Sequence, residues 1–169
     1  SAPPTAADAA ADVALFLGLV AGLRGRGDEL TARLPFAAAE AGFRTAARHG
    51  LGASLPWPVG FAVDRDAAGA APDADGLAPH APADLVRGGL LDVAAAGLSS
   101  LGVADAEAGP ALDTIAARIA AGRNGATWQL DALAAEERTH DRPEALRRLV
   151  RRYRDLQDAG EPVHTWPVP

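Results

Sequence analysis

Apolar residues recur at helical spacing along most of the chain, and glycines or prolines separate one such segment from the next. This period is typical of amphipathic helices that each bury one face. Alanine supplies much of the 49% hydrophobic content, whereas aromatic residues make up only 5%. Because alanine has the highest helix propensity, the sequence predicts an all-α, multi-helix, bundle-like domain.

The length of 169 residues corresponds to one domain, and we expect a single helical domain over residues 1–169. Residues 52–82 break the helical pattern, because Gly, Pro, Ala and Asp dominate there. This stretch predicts a long loop, with residues 59–63 as a candidate short extended piece. His80 lies between prolines near its end, and we interpret it as a surface residue rather than a metal ligand.

The first helical segment begins at Thr5, whose spacing to Asp8 resembles a capping box. Gly18 and Gly22 form a small-x-x-x-small pair, which indicates either close helix packing in a soluble core or a self-association face. The apolar run is shorter than the roughly 18–20 residues that span a bilayer, and we expect a buried helix without a membrane role. Its predicted inward face consists of Val13, Phe16, Leu17, Val20 and Leu23.

A second helix is predicted from about Pro35 to His49. Glu40, Arg44 and Arg48 follow one another at intervals of four residues and therefore share one stripe of it. One interpretation is a solvated, ion-paired stripe. The other is an arginine pair that binds a carboxylate or a phosphate, which guanidinium groups do well.

The run Arg123-Asn124-Gly125-Ala126-Thr127-Trp128-Gln129 joins two alanine-rich helical segments. A helix boundary accounts for Gly125 and Asn124, but it does not account for a Trp-Gln pair directly afterwards. This run is therefore a candidate functional motif.

The last helix is predicted to begin at the Asp141–Glu144 box and to end before Gly160. Its arginines indicate a solvated surface, or alternatively a surface that docks a partner or binds nucleotide phosphates. The outward arginines are Arg147, Arg148, Arg151, Arg152 and Arg154. The predicted inward residues are Leu146, Leu149, Val150, Tyr153 and Leu156.

Several classes of function are excluded by composition. A net charge of −6 and a pI near 5.1 argue against a nucleic-acid-binding protein. The absence of cysteine excludes disulfides and thiolate chemistry, and it suits a cytoplasmic protein. The absence of lysine excludes P-loop and Schiff-base chemistry. The four histidines are scattered and no acidic metal-binding motif occurs, so we predict no catalytic residue and no metal site. Since methionine is also absent, we expect a fragment of a longer chain.

Four blocks of sequence resemble the C-terminal helical part of the glutamate–cysteine ligase family 2, the carboxylate–amine ligases. The first is Pro4-Thr5-Ala6-Ala7-Asp8 with the later Phe16–Val20, and the second is Phe43–Leu51 with its Ala-Ala-Arg-His-Gly-Leu ending. The third runs from Ile119 through Gln129, and the fourth is Pro162-Val163-His164-Thr165-Trp166. The blocks follow the order of the family and span nearly the whole chain.

The resemblance implies an ATP-dependent enzyme that phosphorylates the side-chain carboxylate of glutamate and lets an amine displace the phosphate. In that family the ATP and Mg sites belong to an N-terminal catalytic sheet, so this chain by itself is expected to be inactive and to hold no cofactor. The resemblance implies substrate or phosphate contacts by Arg48, with Arg44 as second choice, and by Arg123 and Gln129, while Trp128 belongs to the core.

Two departures from the family pattern leave the amine substrate open. Ala41-Gly42 stands where the family has an asparagine, and Thr165 stands where an acidic residue is common. The alternative function is a stand-alone helical binding module without catalysis, and a homo-oligomer is left open for either function. A fragment is expected to expose an apolar face, whereas a self-contained module is not.

Overall fold

The computed structural model describes residues 3–62 and 71–169 of the chain, and this part is mainly helical, as predicted. Its α-helices are α1 (Ala6–Leu23), α2 (Gly27–Arg33), α3 (Phe36–His49), α4 (Pro82–Leu85), α5 (Leu91–Ser100), α6 (Asp105–Ala120), α7 (Gly125–Glu136) and α8 (Arg142–Ala159). Two strands, β1 (Leu55–Pro58) and β2 (Leu77–His80), complete the regular structure together with short 3₁₀ turns and a π-helical stretch at Val86–Leu90.

The centre of the fold is a close contact between α1 and α5, with α6 packed against both. A Cβ atom built on Gly97 of α5 would overlap the carbonyl oxygen of Gly18, and one built on Gly18 would overlap that of Ala94. The two helix backbones therefore touch directly. Of the two interpretations of Gly18 and Gly22, close packing in the core is confirmed.

The predicted inward face of α1 is wrong. Val13, Phe16, Leu17 and Val20 are 45–67% exposed, whereas Ala11 and Gly18 are buried. The physical reason is the close approach of α5, which only the alanine and glycine side of α1 permits. The large apolar side chains are consequently left on the outside of the helix.

The strands β1 and β2 form an antiparallel pair, in which Leu55 lies opposite His80 and Pro58 lies opposite Leu77. Both strands fall within the stretch predicted as a loop, and β1 begins four residues before the candidate extended piece at 59–63. Residues 63–70 of that stretch lie outside the described residues. Neither strand alternates between polar and apolar residues, and each contains proline, so the usual strand signals are missing.

The predicted surface position of His80 is also wrong, because its side chain is 3% exposed. The prolines around it belong to the start of α4 and to β2, not to an exposed loop. Neither ring nitrogen of His80 has a hydrogen-bond partner within the described residues.

A short helix that was not predicted, α2, holds the turn after β1. The ring of Phe61 is buried, and the guanidinium carbon of Arg26 lies 4.1 Å from its centroid. Arg33 donates a hydrogen bond of 2.6 Å to the carbonyl of Val59, and the indole nitrogen of Trp57 donates one of 2.8 Å to the carbonyl of Phe61. These contacts fix the small sheet against the helices.

The last helix, α8, begins at the predicted cap, since Asp141 accepts the N–H of Glu144, and it ends before Gly160. Its inward residues Leu149, Tyr153 and Leu156 pack on a cluster of Trp128, Ala132, Val163 and Trp166. Leu146 and Val150 were predicted to face inward but are 40% and 66% exposed. The reason is that α8 packs on α7 along one narrow stripe only.

Within the described residues, one continuous helical stretch, Ala6–Arg33, is long and apolar enough by length and composition to cross a membrane. A mostly buried core helix of a soluble protein and a signal sequence meet the same criterion; here α1 packs on α5 and α6, while 17% of the apolar window is buried.

The backbone contact between α1 and α5 predicts that adding one methyl group at this contact strongly lowers the stability of the fold. We expect Gly97→Ala to lower the free energy of unfolding by about 3 kcal/mol or more, because the new Cβ overlaps a backbone carbonyl that cannot move independently. Chemical denaturation measures this change. The matched control is Gly27→Ala, since Gly27 is helical and nothing lies near its Cβ position. It is expected to be neutral or to stabilise by up to about 1 kcal/mol, and equal losses in both variants would contradict the packing argument.

Candidate functional site

The carboxylate of Asp8 is completely buried and connects the two ends of the described chain. Thr5 caps α1 by accepting the N–H of Asp8 at 3.1 Å, and its hydroxyl donates to the carboxylate of Asp8 at 2.9 Å. The N–H of Val163, 155 residues later, donates to the same carboxylate at 3.1 Å. The predicted cap at Thr5 is confirmed, and its acidic partner has a second, long-range role.

Arg118 of α6 carries the positive charge next to this carboxylate. One of its terminal nitrogens lies 2.8 Å from an oxygen of Asp12 and 3.8 Å from an oxygen of Asp8. The side chain of Arg118 is 17% exposed and that of Asp12 is 41% exposed, so the ion pair lies at the boundary between core and solvent. In this position the pair can both stabilise the fold and contact a ligand.

The C-terminal tail closes over the start of α7. Arg123 donates a hydrogen bond of 2.8 Å to the carbonyl of Trp166, and the indole of Trp128 donates one of 3.3 Å to the carbonyl of Pro167. The rings of Trp128 and Trp166 meet edge to face at 5.1 Å, and Tyr153 packs on both. Trp128 is thus a core residue, as expected.

Asn124 forms the cap of α7 and explains the middle of the motif. Its side-chain oxygen accepts the N–H groups of Ala126 and Thr127, and the hydroxyl of Thr127 accepts the N–H of Asn124 in return. The amide nitrogen of Asn124 lies close to Gly50, since a Cβ atom built on Gly50 would be 3.7 Å from this nitrogen. The start of α7 therefore meets the end of α3.

Two adjoining cavities of about 230 and 280 Å³ lie at this meeting point and share Asp12, Arg118 and Asn124. The first is otherwise lined by Leu15, Leu51, Pro82, Val86, Ile115, Ile119 and Arg123. The second is otherwise lined by Pro3, Pro4, Ala46, Ala47, Gly50, Gly125 and Ala126. We call this pair of cavities the junction site, because residues from all of the first three sequence blocks line it and the fourth block is bonded to them.

The junction site combines guanidinium and amide donors with one carboxylate and apolar walls. Such a set suits a small ligand that carries an anionic group, because guanidinium groups bind carboxylates and phosphates well. The residues that line it include neither histidine nor a hydroxyl side chain. Among residues 3–62 and 71–169 no group of three metal-ligating side chains is close enough to hold a metal ion. Guanidinium, amide and carboxylate groups of this kind can bind and orient a small ligand.

The structure places the four residues predicted to contact a substrate in different surroundings. Arg123 lines the junction site, whereas Gln129 is half-buried in α7 and is not part of its lining. Arg44 makes an ion pair of 2.6 Å with Glu40 on the outside of α3. Arg48 is exposed on the same helix, one residue after Ala47, which lines the second cavity. Glu40 and Arg44 therefore belong to a solvated, ion-paired stripe, which is one of the two interpretations of this helix.

The sequence interpretation did not single out Asp12 and Arg118. A signal was present, since Asp8 and Asp12 are one turn apart in an otherwise apolar helix, where acidic residues need partners. The identity of the partner could not be read from the sequence, because Arg118 lies more than 100 residues away in a separate helix.

Comparison of the chain with protein-family models, with curated proteins and with solved structures finds no match. The case for a function therefore depends on the residues and on the geometry of the junction site.

The network at Asp8 predicts that loss of the Asp8 carboxylate destabilises the fold more than loss of the Asp12 carboxylate, although both lie next to Arg118. We expect Asp8→Ala to lower the free energy of unfolding by about 3 kcal/mol, because it leaves the N–H of Val163 and the hydroxyl of Thr5 without their buried acceptor and removes the carboxylate 3.8 Å from Arg118. Urea denaturation tests this. The matched control is Asp12→Ala, which removes a half-exposed carboxylate and is expected to cost about 1 kcal/mol or less. The reverse order would show that Asp12, and not Asp8, is the structural residue.

Tyr153 gives the fold a specific sensitivity to alkali. Burial of its ring, and secondly the negative charge of Asp8, raise the pKa of Tyr153 above the ordinary value of 10.0. Because the folded pKa is raised, the stabilisation is present below about pH 10 and is lost as pH rises through the folded pKa.

Unfolding curves of the native protein and of Tyr153→Phe over a pH series test this dependence. The difference in free energy of unfolding between the two should be constant up to about pH 9 and should then shift against the native protein. Parallel profiles up to pH 12 would contradict a raised pKa at Tyr153.

Proposed function

We propose that this chain is the C-terminal helical portion of an ATP-dependent carboxylate–amine ligase of the glutamate–cysteine type. In this proposal it is cytoplasmic, docks against an N-terminal catalytic domain of the same polypeptide, and lines part of the substrate site. The intact enzyme binds ATP and Mg, phosphorylates glutamate and transfers the acyl group to an amine, while the chain alone is inactive. The helical bundle, with the connection over about residues 52–82, then serves as the support of the catalytic sheet.

The observation that carries the proposal is the exposed apolar face of α1. Its members are Val13, Phe16, Leu17 and Val20, and Phe16 alone is 67% exposed. Contiguous apolar side chains of this size on the surface of a soluble protein mark a contact with another surface. A docking partner within the same polypeptide accounts for this face without invoking a separate protein.

A second support is the convergence of the four blocks that carry the resemblance. They are far apart in sequence, yet they meet through the bonds of Asp8 with Val163 and of Arg123 with Trp166, and Gly50 and Asn124 line the same cavity. Bonds of this kind are sufficient to hold the fold together, whereas the fold does not need the cavities that lie between them. The junction site, with Arg123 in its wall, is the place where the substrate or its phosphate would contact this portion of the enzyme.

The proposal assigns the outward arginines of α3 to the interface with the catalytic domain. Arg48 is the first choice for a substrate or phosphate contact and Arg44 is the second, because Arg44 is already paired with Glu40. In the wall of the junction site Arg123 has further guanidinium donors beyond its bond to Trp166. Gln129 is the least favourably placed of the four.

The test is to express the complete reading frame that contains these 169 residues and to measure ADP release that depends on both glutamate and an amine. We expect turnover by the complete product and none by the chain alone. Absence of glutamate-dependent ADP release from the complete product would overturn the ligase proposal. A frame that starts next to Ser1 would overturn it as well and would favour the stand-alone binding module.

Variants of the complete product test the two surfaces separately. Arg48→Gln is expected to lower kcat/KM by about tenfold or more, since charge-assisted hydrogen bonds to a substrate are strong. Phe16→Gln is expected to loosen docking and to reduce kcat together with thermal stability. The control is Arg142→Gln, which removes an exposed charge paired, among the described residues, with Glu137 alone and should leave activity unchanged. Equal effects of Arg48→Gln and the control would remove Arg48 from the substrate site.

A further inference from the structure

A second cleft lies on the outside of the protein, between the end of α7 and the face of α8. It has a volume of about 280 Å³ and is lined by Glu136, Arg148, Arg151, Arg152 and Asp155. The four residues of α8 in this set are spaced so that they share one side of the helix. We call it the arginine cleft, and none of its residues belongs to the junction site.

The two carboxylates of the arginine cleft are already paired. Glu136 is 7% exposed, and its carboxylate accepts a hydrogen bond of 2.7 Å from Nε of Arg148. Asp155 pairs at 3.2 Å with Arg154, which does not line the cleft. Their negative charges are therefore largely offset by these partners.

The remaining arginines of the cleft have spare hydrogen-bond donors. Arg151 makes one ion pair of 3.3 Å with Glu144, a carboxylate that it shares with Arg147. Arg152 donates one hydrogen bond of 3.4 Å to the carbonyl of Pro167, and within the described residues it makes no ion pair. Each guanidinium has five N–H donors. Nε of Arg152 is buried without a partner within the described residues, but most donors on the terminal nitrogens of these two arginines remain available.

Positive charge is concentrated at this cleft although the protein as a whole is acidic. The helix α8 contains six arginines and three acidic residues, whereas the net charge of the chain is −6. Such a local excess attracts an anion to one place on a protein that otherwise repels anions.

From this geometry we propose that the arginine cleft binds a small molecule through a phosphate group. Several guanidinium groups can bond simultaneously to the three or four oxygens of a phosphate, which offers more acceptor oxygens and more negative charge than a carboxylate. Arg151 and Arg152 supply the main contacts. Arg148 contributes its remaining donors while Glu136 holds it in place. The inference is independent of the ligase proposal, since it uses no residue of the junction site.

The experiment is calorimetric titration of the 169-residue protein with inorganic phosphate, with pyrophosphate and with glutarate at constant ionic strength. We expect saturable binding of pyrophosphate, weaker binding of phosphate and no comparable binding of the dicarboxylate. Arg151→Gln and Arg152→Gln should each weaken pyrophosphate binding by about tenfold or more. Arg151→Gln is the decisive variant, because its exposed side chain makes one long ion pair and the fold does not depend on it.

The matched controls are Arg147→Gln and Arg142→Gln, which remove the same charge from the same helix outside the cleft. They are expected to change the Kd for pyrophosphate by no more than about twofold. Equal weakening by all four substitutions would show diffuse attraction to the helix and would overturn the site. The proposal is also overturned if pyrophosphate does not saturate the chain below about 10 mM, or if glutarate binds as tightly as pyrophosphate.

Discussion

The direct contact between the backbones of α1 and α5 determines how the rest of the protein is arranged. Gly18 and Gly97 let the two helices approach more closely than any larger pair would, and this approach turns the small side of α1 inward. The aromatic and branched side chains of α1 are consequently left outside. The exposed face on which the proposed function depends is thus a by-product of core packing, not an irregularity of the surface.

A second constraint is the buried charge at Asp8, which is compensated from three directions. Thr5 and Val163 supply hydrogen bonds, and Arg118 supplies the opposite charge. A buried carboxylate is tolerated only with such partners. Because the compensating groups come from α6 and from the tail, one ionised side chain brings three remote segments together, and the junction site opens beside them.

Much of the fold could be predicted from local sequence signals. The starts of α1 and α8 follow from Thr5 and Asp141, and the end of α8 follows from Gly160, because caps act within a few residues. The inward face of α1 could not be predicted, since hydrophobicity favours Phe16 and Val20 while the actual choice depends on the partner helix. His80 was predicted at the wrong position, and Asp12 and Arg118 were missed, for a similar reason: their surroundings come from residues distant in sequence. Of the predicted substrate contacts, Arg123 is the one that the fold places in a cavity wall.

The bond between Asp8 and Val163 has a consequence for the order of folding. These residues are 155 positions apart, so the carboxylate at the start of α1 waits for its last partner until the C-terminal tail has been synthesised. The same tail completes the tryptophan cluster around Trp128 and Trp166. Helices α1, α5 and α6 can associate earlier through their own contacts, because folding proceeds from the N-terminus during synthesis. The segment around Val163 therefore completes the hydrogen bonding of Asp8 after the helices have formed, and until it joins, the charge of Asp8 remains only partly compensated.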